Sequence, residues 1–284
     1  MLKPFLTSLL SLTAVFGNSL SAPEYDTLLV SDHELPFMAN VFIISIGTCN
    51  GAILSDRWIV ASANCLTGQI LDYDSPIVVS PTSYLVVVGT NSRAGEVSHA
   101  VQRIVFDQEN GGIALIELKK HLAFNHNIQP ISIGSDPPTS GMEVYSAGWI
   151  PTLRKAKMSI ASPTGCENHY PERFQDQYFC VRGMLCLPEV GGPLYTREGD
   201  EYRLVGLKTN STVLQKPETD CLQTAKGNFT SLFTHLGHRI EYIQQVTGLN
   251  RNYLLGYTKV SQACTVTYTS FSFVLSLVLV LVYS

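Results

Sequence analysis

The chain is poor in charge and lacks the common cofactor signatures. Only 15% of its 284 residues are Asp, Glu, Lys or Arg, and 19 basic against 23 acidic residues leave a net charge of −4. A strongly basic face, the electrostatic footprint of a nucleic-acid binder, is missing, so nucleic acid is not an expected partner. There is no H-E-x-x-H, no C-x-x-C, no P-loop and no G-x-G-x-x-G, so neither a metal nor any other cofactor is implied. His235 and His238 stand three apart in a segment with helical spacing, where a solvated helix face is the simpler reading. No Lys or Arg lies between Lys3 and Arg57, which excludes a tryptic processing site there.

What is present is apolar. Hydrophobic residues make up 45% of the chain, enough for a sizeable core and far from the composition of disorder. Met1-Leu2-Lys3 followed by the leucine-rich run 4–16 and then small residues reads as a secretory signal peptide over 1–21, cut after Gly17 or Ser21. At the other end, Phe271 to Tyr283 is apolar apart from Ser272 and Ser276. Thirteen helical residues span roughly 20 Å, less than the roughly 30 Å hydrocarbon layer. Small residues at Ser261-Gln262-Ala263, a polar spacer and an apolar tail fit a GPI-attachment signal, with lipid on Ser261 and 262–284 removed. A membrane-spanning helix is the alternative. Either way, the chain is expected to enter the secretory pathway and reach the outer face of the plasma membrane. Its seven cysteines then read as disulfides.

Short Val/Ile/Leu-rich segments recur between turn signals, among them 41–44, 52–54, 58–60, 84–88, 100–105 and 113–118. That is the pattern of an all-β sandwich or barrel. The Pro/Gly-rich stretch 134–141 divides them from a second set at 143–147, 178–181, 193–195, 204–207 and 229–232. Apolar residues at Leu232, Leu236, Ile240, Ile243 and Val246 predict a C-terminal helix.

Five segments carry a family likeness, in order: Cys49-Asn50-Gly51-Ala52-Ile53-Leu54, Trp58 to Cys65, Gly112 to Leu118, Ala147-Gly148-Trp149, and Cys186 to Leu194. Together they resemble the trypsin-like serine proteases, whose nucleophile segment reads C-x-G-D-S-G-G-P-L. The resemblance implies an all-β fold of two six-stranded antiparallel β-barrels with a C-terminal helix. It covers 24–246, with barrels at about 24–133 and 142–246 and a stalk over 247–261. It also implies three disulfides, Cys49–Cys65, Cys166–Cys180 and Cys186–Cys221, leaving Cys264 in the removed peptide.

The same resemblance locates the chemistry that is missing. The family's acyl transfer uses a serine, a histidine base and an orienting aspartate. The matching positions here are Val190, Asn64 and Gly112. Valine offers no nucleophilic atom, an amide no basic nitrogen, and glycine no side chain. Pro188 replaces an oxyanion-hole glycine and has no N–H to donate. The chain is therefore expected to be a serine protease homologue that is not an enzyme and binds a protein partner whose identity the sequence does not reveal. Likeness to inactive, anchored family members implies an adhesion or regulatory scaffold, including on reproductive cells. A decoy for protease inhibitors is the alternative, and a hydrolase with relocated catalytic residues is the enzymatic rival. Met184 is expected at the base of the specificity pocket. Asn210 and Asn228 open N-glycosylation sequons, and a glycan on Asn210 would crowd the cleft.

Overall fold

A computed structural model describes residues 27–44, 47–67, 79–92, 97–107, 112–150, 152–167, 177–182, 191–209 and 230–258. Strands β2 (Met38–Ile43), β3 (Gly47–Ile53), β4 (Trp58–Ser62), β5 (Tyr84–Val88), β6 (Ser98–Phe106) and β7 (Ile113–Leu118) close a first barrel in the order β2-β3-β4-β7-β6-β5. The second barrel is built from β9 (Glu143–Ile150), β10 (Thr152–Ile160), β11 (Tyr178–Arg182), β12 (Pro193–Glu198), β13 (Glu201–Lys208) and β14 (Thr230–His235). They run β10-β11-β14-β13-β12-β9, and the β9–β10 pairing closes the ring. The short strands β1 (Leu28–Leu29) and β8 (Ser132–Ile133) attach to β10 and β13. The two-barrel fold implied by the resemblance is thus the fold observed.

The continuous apolar runs have a simple cause. On β7, Ala114, Ile116 and Leu118 fill the first barrel, while Ile113 and Leu115 point between the barrels. On β4, Ile59 and Ala61 face in and Trp58 and Val60 face the partner barrel. Side chains alternate with period two, and here both faces are buried, so every position is apolar. The inter-barrel layer also takes in Trp149, Tyr195, Leu204 and Leu207.

The structure departs from the sequence reading in three places. No strand was expected over 152–160, yet β10 is a central strand of the second barrel, separated from β9 only by Pro151. Its Arg154, Lys155 and Lys157 mask a period-two set, Ala156, Met158 and Ile160, which is buried. The helical spacing from Leu232 onward is strand up to His235, then a 3-10 turn Leu236–Arg239, and only then a helix, Ile240–Thr247. His235 ends the strand and the ring of His238 lies edge-on to it at 4.7 Å, so the two do not share a helix face. Finally, the stretch from 247, read as stalk, is folded through Leu255. A short helix, Arg251–Leu254, is capped by Asn250, whose side chain accepts from the Asn252 N–H. Leu254 and Leu255 are buried in the inter-barrel core, and full burial of such a leucine is worth about 1.5–3 kcal/mol. Among the described residues, no helix is long and apolar enough to cross a membrane.

Two disulfides are formed, Cys49–Cys65 and Cys166–Cys180. Cys186–Cys221 lies outside the described residues. Cys49–Cys65 ties β3 to the turn after β4 across 16 residues. Replacing both cysteines by alanine is expected to lower unfolding free energy by about 3 kcal/mol in the chain-entropy account of cross-links. Urea unfolding of the double variant checks this, and an unchanged midpoint would contradict it.

Candidate functional site

The site forms where β4, β7 and the segment after Val190 meet. β4 leads directly into a short helix, Ala63–Thr67, carrying Asn64. The Ala63 N–H donates to the Gly112 carbonyl at 3.2 Å, which sets the Asn64 and Gly112 positions side by side. Gly191, next after Val190, sits on the same spot. It has φ +97°, and a Cβ built on it would lie 3.1 Å from Cys65 Cβ and 3.2 Å from Ser62 Cβ. Both the dihedral and the space require glycine there. Two of the three positions assigned to the family's catalytic groups are thus adjacent, and the neighbour of the third packs against them. Val190, Pro188, Glu189, Met184, Asn210, Asn228 and Ser261 themselves lie outside the described residues.

Asn64 is buried, and its amide oxygen finds no hydrogen-bond partner. The same is true of Asn50 Oδ1 and Ser62 Oγ nearby. Orphaned buried oxygens are unusual and costly, and they cluster here.

Gly112 is more than an unfilled position. Its φ is +83°, and a Cβ there would fall 2.4 Å from Thr234 Oγ1 and 3.5 Å from Thr209 Cγ2. Thr234, fully buried on β14, occupies the space that a side chain at 112 would need. Thr209 is held by its own hydroxyl, which donates to the Leu232 carbonyl at 2.9 Å.

The sequence reading did not single out Lys208 as an unusual group. It is the last residue of β13, its N–H donating to the Gly192 carbonyl at 3.1 Å. It pairs in register with Phe233, whose side chain belongs to the interior of the second barrel. Cross-strand partners share a face, so Lys208 lies on that interior side, 5% exposed. Burial alone pushes its amine down to about 8. The only signal in the sequence was a lysine ending an otherwise apolar strand, Leu204-Val205-Gly206-Leu207-Lys208.

Two other buried polar groups stand nearby. Asp107, the one acid that could have been argued as a shifted orienting group, is 3.6 Å from Arg239 Nε, and both side chains are buried. Arg239 also donates to Gln177 Oε1 at 2.6 Å. Asp107 is therefore held in a structural ion pair bridging the loop after β6 and the 3-10 turn. His235 is buried against the Phe179 ring, and burial pushes its imidazole down to about 4, keeping it neutral at physiological pH.

A family model for trypsin matches residues 28–225, well over half of the sequence. The chain belongs to the trypsin family. Human mannan-binding lectin serine protease 1 is similar to it at 25% identity over 237 residues, covering 71% of this chain and 32% of that protein. Serine protease SP24D of Anopheles gambiae is 27% identical over 125 residues, covering 43% of this chain and 44% of that protein. Human serine protease 1 is 24% identical over 213 residues, covering 66% and 83%. The chain spans less than half the length of the first two relatives.

Proposed function

We propose that this member of the trypsin family is catalytically inert, is tethered at the outer face of the plasma membrane, and acts by binding a protein partner. The observation that carries the first part is the seat of Gly112. The position aligned with the orienting aspartate has no side chain and, with Thr234 Oγ1 2.4 Å from any Cβ, no room for one. Without that group, an imidazole would lack its orienting partner, and here the base position is an amide in any case. Valine at 190 removes the nucleophile, and proline at 188 removes an oxyanion donor worth about 3 kcal/mol of transition-state stabilisation in a related protease.

An active-site fluorophosphonate tests this. The folded protein should show no labelling above a heat-denatured control. Specific labelling that disappears on denaturation would show an activated nucleophile and overturn the reading.

The binding role, whether adhesion or regulation, including on reproductive cells, rests on likeness to inactive anchored members of the family, an argument at the level of fold. Tethering rests on the C-terminal sequence: small residues at 261–263, then a spacer, then the apolar run 271–283. Phosphatidylinositol-specific phospholipase C should release the protein from intact cells if Ser261 carries a GPI anchor. Its retention would favour the spanning helix.

A further inference from the structure

A cleft of about 670 Å³ opens far from the vacated site, between the first barrel, the β12–β13 hairpin and the C-terminal helix. Its walls include His33, Arg197, Asp200, Arg203, Tyr253 and Thr258. The strand β12 starts beside Gly192 and ends at the cleft, and its six residues separate the two sites by about 20 Å.

The charges in this cleft alternate. The Arg197 guanidinium lies 5.6 Å above the Tyr202 ring and 3.8 Å from Asp200, whose side chain is fully exposed. Arg203 is 3.2 Å from Glu201 and donates to the Leu255 carbonyl. Glu34, at the inner end, is already taken by Lys155. Cationic forks thus stand beside outward-facing carboxylates and the tyrosine rings of Tyr202 and Tyr253. Phosphate is matched by arginine, and a quaternary or primary ammonium by aromatic faces and carboxylates.

The chain itself says what this cleft faces. Thr258, on its wall, is three residues from Ser261. Whatever conformation 259–261 adopt, they reach at most about 11 Å. Given lipid attachment at Ser261, as proposed above, the cleft is held within a headgroup's depth of the bilayer. Tyr257, 70% exposed, stands on the same side, and tyrosine favours the membrane interface. We infer that this cleft is a membrane-facing site for a zwitterionic phospholipid headgroup, its phosphate on Arg197 and Arg203 and its ammonium on Asp200 and the tyrosine rings. The vacated site is then left clear of the bilayer for a protein partner.

The test uses the full chain in phosphatidylcholine vesicles carrying a headgroup spin label. Glu198→Trp places a fluorophore at the hairpin tip, while the native Trp58 and Trp149 are buried and supply the background. The probe should be quenched. A second protein carries, in addition, a twelve-residue Gly/Ser spacer after Thr258, which releases the geometric constraint. Quenching should persist in the spacer protein and be lost when Arg197→Glu is added. Loss of quenching from the spacer alone would overturn the headgroup site, because a short tether would then be the only thing holding the cleft down. This readout holds however the C-terminal segment meets the bilayer. Failure of phospholipase release would therefore count against the GPI anchor, and failure of spacer-tolerant quenching against the cleft.

Discussion

Replacing Gly112 by aspartate is expected to lower unfolding free energy by about 3 kcal/mol and to create no peptidase activity, even alongside Asn64→His and Val190→Ser. Two costs add. A side chain at φ +83° adopts the left-handed region, at about 1–2 kcal/mol for an ordinary residue. Its Cβ also meets Thr234 Oγ1 at 2.4 Å, and overpacking a filled core costs about 1–3 kcal/mol. The two are separable. Thr234 Oγ1 is buried with no hydrogen-bond partner, so Thr234→Ala alone should be near neutral. Combined with Gly112→Ala, it should recover about 1–2 kcal/mol as a coupling between contacting residues. The dihedral cost should remain. Urea unfolding of the two single variants and the double variant gives the cycle. A Gly112→Ala protein as stable as the parent would show that the position is merely unfilled and that the catalytic site could be rebuilt by substitution.

The second large effect has the opposite sign. Lys208→Met should stabilise the protein by about 3 kcal/mol at pH 7, because a pKa brought from 10.5 to about 8 corresponds to about 1.4 kcal/mol per unit. The folded value lies below the unfolded one, so the unfolded chain binds the extra proton between pH 8 and 10.5. Stability of the parent therefore rises through that window, and the cost of the buried charge is fully present below pH 8. The gain from methionine should be largest at neutral pH and vanish above about pH 10.5. Methionine matches the length of the lysine stem and fills the barrel interior beside Phe233 without a charge. Denaturant midpoints for both proteins at pH 7 and pH 10.5 check this, and a gain that does not shrink with pH would assign the effect to packing instead.

Much of the fold was legible because family-like segments and two-sided burial coincide. β4 and β7 are apolar at every position because they face the barrel interior and the partner barrel alternately. β10 was hidden for the converse reason. Arg154 and Lys155 are committed to Thr27 and Glu34, so a basic surface accompanies a buried strand. The helix start was misplaced because Leu232 and Leu236 satisfy period two and period four equally well, and only the pairing of β14 with β11 and β13 decides between them.

The sequence by itself determined the chemistry that Asn64, Gly112 and Val190 lack, since the absence of a nucleophile, a base or a carboxylate is a property of residue type. It also determined the cysteine pattern and the apolar ends. Only the tertiary structure decided that the Gly112 position is filled by Thr234 from a strand more than a hundred residues away, and that Lys208 is sunk in a barrel. It alone showed that the chain stays folded through Leu255 and leaves beside a cleft of alternating charge. These depend on which strands become neighbours, and that is set by the closure of two barrels and not by any local run of residues.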